Sequence, residues 1–374
     1  MRFLKNFVRL TVPSIILCIV AGEILFRSLI PGAVQPWGYY DPVEGVDRFE
    51  VGQGTGVYTI GKFAQQRGRW RINNAGWNSD IDYFPRNQRT KLLIAIIGDS
   101  YIEAFHVDIN KSITANLREK LHGRFDVYGF GKSGAPLSHY LQMTRYVVKH
   151  FDPDIIVINV IHNDFDESLR RVLPQAYFLQ IEINGSEIRE ASLLSTPMSA
   201  KPITKLVFHS AIVRYLYQNL RLGTFWAEHK PGQRVEAKQV AGDEKDGGGQ
   251  SSPYAVPAPT AEFYKAADYI VGKMREETAG KELVYMIDAP RNDIYNATLR
   301  NSRVLWMNNL LAELCKRHRA RFIDLTGPFL EKYQKDGVRF NSAYDGHWDQ
   351  EGHRYAAEVL YNNLVKFGVV KDSQ

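Results

Sequence analysis

The chain has 374 residues, 44% hydrophobic and 24% charged, enough to bury one large core or two modest ones. Its net charge of +6 is mild and spread along the sequence. No basic block carries interleaved aromatics, which sets nucleic-acid binding aside but leaves attraction to an anionic membrane or polysaccharide open.

Arg2, Lys5 and Arg9 precede an apolar stretch from Leu10 to Phe26. Positive residues in that position hold the N-terminus in the cytoplasm and send the following chain outward. The uncharged core, Leu10 to Gly22, is short for a span, and Glu23 interrupts it. A cleaved signal peptide has the same look, with Val20-Ala21-Gly22 as its small-residue site. The apolar pattern resumes, however, through Ile24-Leu25-Phe26 and Leu29-Ile30 until Pro31-Gly32 stops it. Arg9 and Arg27 can snorkel to opposite interfaces and leave a spanning length between them. The expectation for residues 1–32 is an uncleaved signal anchor, ahead of a cleaved signal and of a buried soluble helix. It implies a single pass through a cell inner membrane with the rest of the chain periplasmic. Ile15-Ile16-Leu17 ahead of Cys18 argues against lipoprotein processing, and Cys18 and Cys315 lack metal-ligand spacing.

Residues 33–90 are rich in Gly, Pro and aromatics without a sustained period, and form an extracytoplasmic lead-in. Arg69 to Trp77 reads there as a strand and turn. From Leu92 the chain alternates in the manner of a parallel sheet. Strands are predicted at 92–97, 125–130, 155–161, 283–288 and 321–325. Helices are predicted at 112–121, 137–149, 261–277, 301–318 and 351–366. The alternation breaks over 165–260, an insertion that leaves from the third strand. Within it, Tyr177–Ile183 and Ser186–Arg189 read as a hairpin on Asn184-Gly185. Residues 209–222 read as helical, and 228–260 as a disordered loop rich in Lys, Gly, Ser and Pro. The fold class is therefore α/β, a flavodoxin-like three-layer αβα sandwich on a mainly parallel sheet of about five strands, spanning 91–374.

Four segments at strand ends carry chemistry. Gly98-Asp99-Ser100 follows the first strand, where a small-residue turn exposes a serine hydroxyl. Gly129 to Pro136 follows the second, and glycine there permits close backbone approach. His162-Asn163-Asp164 follows the third, where an Asn amide can donate to a developing oxyanion. Tyr344-Asp345-Gly346-His347 opens the last helix, and a carboxylate beside a histidine fixes the tautomer of an imidazole base. His353 competes for that role but falls in the first helical turn, pointing back to structure. A metal reading of this cluster lacks a third ligand nearby in sequence.

In this order and placement the four segments resemble the SGNH hydrolases, the GDSL-type esterase superfamily. The resemblance spans roughly 90–370 and skips the insertion. It implies Ser100 as nucleophile, His347 as general base and Asp345 as its orienting partner. It also implies an oxyanion hole made of the Ser100 N–H, the Gly134 N–H and the Asn163 side chain, with no cofactor and no metal. Two departures stand out: His162 occupies the place of a glycine, and only Gly346 separates Asp345 from His347. The shorter spacing, the anchor and Ile72 to Trp77 resemble membrane-tethered, polysaccharide-modifying bacterial members.

The implied activity is hydrolysis of a short acyl ester, such as acetyl, on a carbohydrate or other small ester through an acyl-serine. O-acetyltransfer onto an exopolysaccharide or cell-wall glycan uses the same residues, and a non-catalytic glycan-binding or scaffold protein of the same fold is the third reading. Tyr177, Phe178 and Trp226 of the insertion are candidates for a sugar-stacking surface, with plain packing as the ordinary explanation.

Overall fold

The computed structural model describes residues 2–222 and 260–371. Trp226 and the loop expected at 228–260 lie outside the described residues, apart from Thr260, which caps the next helix.

The chain opens with helix α1 (Arg2–Ile24), continued by a π-helical turn over Leu25–Leu29. Phe7–Leu29 is long and apolar enough to cross a membrane. Phe7, Leu10, Ile16 and Leu17 are all more than half exposed, so this helix is not buried against the rest of the chain.

The lead-in holds more than the one strand and turn expected at Arg69 to Trp77. It has β1 (Gly38–Asp41) paired with β2 (Val46–Phe49), and β3 (Thr55–Ile60) paired with β4 (Gln66–Arg71), all antiparallel. The expected strand is the end of β4, and the three others precede it. The period of two hides in β4 because its inward positions are Gly68 and Trp70 while Arg67, Arg69 and Arg71 face outward or lie at the rim. Gly68 is required there. A Cβ would fall 2.1 Å from the Phe105 carbonyl oxygen, so the hairpin rests directly on the loop after the first core strand.

The core sheet is built from β5 (Leu92–Gly98), β6 (Phe125–Gly131), β7 (Ile155–Val160), β11 (Glu282–Ile287) and β12 (Arg321–Asp324). Between them lie the insertion strands β8 (Ile181–Asn184), β9 (Glu187–Glu190) and β10 (Met198–Ser199). The core order is β6-β5-β7-β11-β12, all parallel, which is the flavodoxin-like order expected. Successive side chains point to opposite faces. Leu93, Ala95 and Ile97 of β5 therefore join one core with Ile156, Ile158, Leu283 and Tyr285. Ile94 and Ile96 join the other, with Val127, Val157, Val284 and Met286. Helices Leu137–Phe151, Ala261–Glu277 and Leu305–Arg317 cover the first face. Helices Ile113–Lys120, Thr326–Asp336 and Gln350–Lys366 cover the second. Burial on both faces is why these strands read as unbroken apolar runs.

The helix Thr326–Asp336 was not expected. Pro328 stands in its first turn, where proline is tolerated because its missing N–H has no partner to lose. The insertion hairpin forms one residue later than expected. Asn184 pairs Glu187, so the two-residue loop is Gly185-Ser186, with Gly185 at φ +62. Residues 209–222 form a helical turn over Ala211–Arg214 and a π turn over Tyr215–Asn219, preceded by a helix over Pro202–Val207.

Candidate active site

In an open parallel sheet of this order the strand sequence reverses at β5, and ligands bind beyond the carboxyl ends there. Ser100 opens a short helix, Ser100–Glu103, at that point. The Asp99 side chain caps the helix by accepting the Tyr101 N–H at 3.0 Å, and it lies 3.3 Å from the Ser100 hydroxyl. Burial pushes the Asp99 carboxyl above the usual carboxylate range, against the Tyr101 hydrogen bond. Asp99 is thus a turn-builder that shapes the serine loop. Gly131 lets that loop close, since a Cβ would fall 1.9 Å from the Glu103 nitrogen.

The segment that leads into the last helix brings His347 to the serine. His347 Nε2 lies 2.8 Å from the Ser100 hydroxyl oxygen. Behind it, Asp345 Oδ1 accepts the His347 backbone N–H at 3.0 Å and stands 3.5 Å from Nδ1. Burial pushes the Asp345 carboxyl up, but the hydrogen bond and charge of His347 outweigh it and hold the group well below the usual range. Asp345 is buried, whereas Ser100 and His347 are only partly covered. The strands on either side of β5 supply the flanking loops. Gly134, exposed at φ +75, follows β6, and Asn163, half-buried, follows β7. The fold thus brings Ser100, His347 and Asp345 into one line, with Gly134 and Asn163 beside them.

No family model matches the chain, and no curated protein matches it. Solved structures that resemble it include a lipase/acylhydrolase from Enterococcus faecalis, at 12% identity over 76% of this chain and 99% of that one, with a TM-score of 0.40. An acetyl xylan esterase resembles it at 14% identity over 73% of this chain and 100% of that one, with a TM-score of 0.39. A carbohydrate acetylesterase family member from Sinorhizobium meliloti does so at 13% identity over 74% and 98%, with a TM-score of 0.34.

In the segment after β7, the two polar residues divide their work. Asp164 is buried and accepts the Ile161 N–H at 2.7 Å and the Tyr140 hydroxyl at 2.8 Å, tying the strand end to the helix Leu137–Phe151. The Asn163 amide donates to Glu167 Oε1 at 3.1 Å, which orients it. His162, in the place of a glycine, has its Nε2 2.8 Å from Asn308 Oδ1. Asn308 in turn donates to Asp324 Oδ1 at 2.9 Å, so the departure serves a buried link between the ends of β7 and β12. His353 is buried and its Nδ1 accepts the Ile113 N–H, away from Ser100.

Two parts of the site escaped the sequence. His106 stacks on His347, with ring centroids 3.6 Å apart and planes inclined 13°, and its Nε2 lies 3.9 Å from Asp345 Oδ2. Burial holds its pKa well below the usual histidine value, so it meets His347 as a neutral ring. It also supplies, from far away in sequence, the third ligand type that the neighbourhood of Asp345 and His347 in the chain lacks. The three residues offer ligand atoms within 4.8 Å of one another, joined by the fold and not by spacing.

The second missed part is Arg291, which opens the short helix Arg291–Tyr295 after β11. It is 3% exposed, pairs with buried Asp288 at 3.1 Å, and donates to the Tyr101 hydroxyl and the Gly346 carbonyl. Trp348 Nε1 donates to the same Asp288 at 3.0 Å. The guanidinium therefore joins the serine loop to the histidine loop. Arg291→Met is expected to leave Asp288 short of its cation and to destabilise the fold by roughly 3 kcal/mol. A chemical-denaturation midpoint checks it.

Proposed function

We propose that this chain is a membrane-tethered serine esterase that removes a short acyl group, such as acetyl, from a carbohydrate. The observation that carries the reading is the 2.8 Å contact between the Ser100 hydroxyl and His347 Nε2 at the carboxyl end of β5. Serine is a weak nucleophile at its free pKa, so His347 takes its proton as the hydroxyl attacks the ester carbonyl. Asp345 orients the ring and stabilises the imidazolium that forms. The Ser100 N–H, the Gly134 N–H and the Asn163 amide receive the oxyanion. His347 then protonates the departing alcohol, and water resolves the acyl-serine by the same steps.

A sugar hydroxyl in place of that water makes the reaction an O-acyltransfer with the same residues. Product analysis with an acyl donor and a glycan acceptor separates the two. Support for a carbohydrate comes from a cavity of about 460 Å³ beside His106, walled by Phe49, Tyr58, Phe105 and Tyr177 with Lys132 and Glu103. Such a wall of aromatics with a few polar groups suits sugar rings. Phe178 lines the same cavity, but at 2% exposed it mainly packs against the His139 ring, 4.7 Å away.

The full-length protein is expected to hydrolyse p-nitrophenyl acetate and to be labelled by a fluorophosphonate, and failure of both sinks the reading. Asn163→Ala is expected to lower kcat by about 10²–10³ with little change in KM, since an oxyanion donor acts only in the transition state. A metal-dependent hydrolase is the second reading, favoured by the convergence of His106, Asp345 and His347. Turnover that a chelator abolishes and Zn²⁺ restores would decide for it.

A further inference from the structure

Helix α1 is bare over Phe7–Ala21 apart from half-covered Thr11, and from Gly22 onward it meets protein. The bare stretch rises only about 22 Å at 1.5 Å per residue. A hydrocarbon core is about 30 Å thick and takes about 20 residues. The candidate span accordingly runs on to Leu29. The residues that complete it are those that grip the insertion.

Glu23 accepts the Ser210 hydroxyl at 2.9 Å and the Ala211 N–H at 2.8 Å, and pairs with Arg27 at 2.6 Å. Arg27 donates to the His209 carbonyl at 2.8 Å. Phe26 stacks on Tyr215 with centroids 3.9 Å apart. Gly32 is required beside them, since a Cβ would lie 2.8 Å from the Ala211 carbonyl oxygen. The segment is also fixed to the lead-in, where Asn219 accepts the Ala33 N–H and donates to Thr59, and Lys205 pairs with Glu50. It is a rigid strap clamped to the last two turns of the span.

The outer side of this strap is apolar. Ile203 and Leu206 are 63% and 67% exposed, and Val207, Leu216, Tyr217 and Leu222 are exposed with them. Lys201 and Arg221 lie at its two ends, and Lys62 on the turn whose carbonyl accepts the Tyr215 hydroxyl. Resting on the anchor reading proposed above, we infer that residues 202–222 lie in the headgroup region of the leaflet from which α1 emerges. Their partner is an anionic lipid surface: the side chains of 203–222 enter the acyl boundary and the basic residues meet lipid phosphate. The depth agrees. Glu23 stands about 9 Å before the end of the span, and interfacial helices bury their apolar face about 5–10 Å deep. Glu23, an acid inside an apolar segment, is explained as the clamp that sets the strap at this level.

The test uses the full chain reconstituted into phosphatidylethanolamine–phosphatidylglycerol vesicles carrying nitroxide-labelled lipid. Ile203→Cys and Leu206→Cys, each with Cys18→Ser and with buried Cys315 left in place, carry an environment-sensitive fluorophore. Lys316→Cys serves as the water-exposed control, and the otherwise unchanged chain labelled at Cys18 reports on the anchor. The strap probes are expected to emit to the blue of the Lys316 probe and to be quenched about twofold more, most strongly by shallow nitroxides. Strap probes that match Lys316 while Cys18 is quenched overturn the strap and leave the anchor standing. A Cys18 probe that is itself unquenched removes the anchor, and the strap with it.

Discussion

Ser100→Ala is expected to lower ester turnover by about 10⁴–10⁶ and to abolish fluorophosphonate labelling. The change removes the only atom proposed to bond to the acyl carbon, and no relay through water restores a covalent route. What survives is substrate binding and the remaining oxyanion donors, which account for a residual rate above water. Stability is expected to move by less than about 1 kcal/mol, because the hydroxyl is partly exposed and its loss opens no cavity. Asp99 keeps its hydrogen bond from the Tyr101 N–H, so the turn itself stands. A thermal melt beside the kinetic assay therefore separates lost chemistry from lost structure. Full activity in the variant would shift the weight to the metal-dependent reading built on His106, Asp345 and His347.

The sheet was legible because β5, β7 and β11 are buried on both faces and carry uninterrupted apolar runs. Their parallel pairing followed from the alternation with helices. The residues proposed for chemistry were legible for a related reason: each stands within a few positions of a strand's carboxyl end or of the last helix. What the sequence hid is non-local. Arg291 belongs to none of the four segments, yet it lies under the site because Tyr101, 190 positions away, and Gly346 converge on its guanidinium. His106 lies six residues beyond Ser100 with no motif around it, and its neighbours Asp345 and His347 come from the far end of the chain. In the lead-in, β4 was blurred by composition, since its inward positions are Gly68 and Trp70 where a strand search expects Val or Ile, and β1 and β2 are only four residues each.

His347→Ala is expected to cost as much as Ser100→Ala, and the double variant no more than either alone, because nucleophile and base act in one step. Asp345→Asn should cost less, about 10²–10⁴, since the ring remains but loses its orienting charge. The 3.5 Å separation of Asp345 from Nδ1 is long for a hydrogen bond. It is expected to shorten when the ring becomes an imidazolium and the attraction becomes ionic. Asp345 also has a pH signature. Its folded pKa is depressed, so its contribution to stability is complete above about pH 4 and is lost as the pH falls through the folded value. The carboxylate is therefore charged wherever the enzyme works. The unfolding midpoint of Asp345→Asn should accordingly be less sensitive to acid than that of the parent. A variant midpoint that fell with acid as steeply as the parent's would mean that the fold does not hold Asp345 charged, and the carboxylate behind His347 would have to be sought elsewhere.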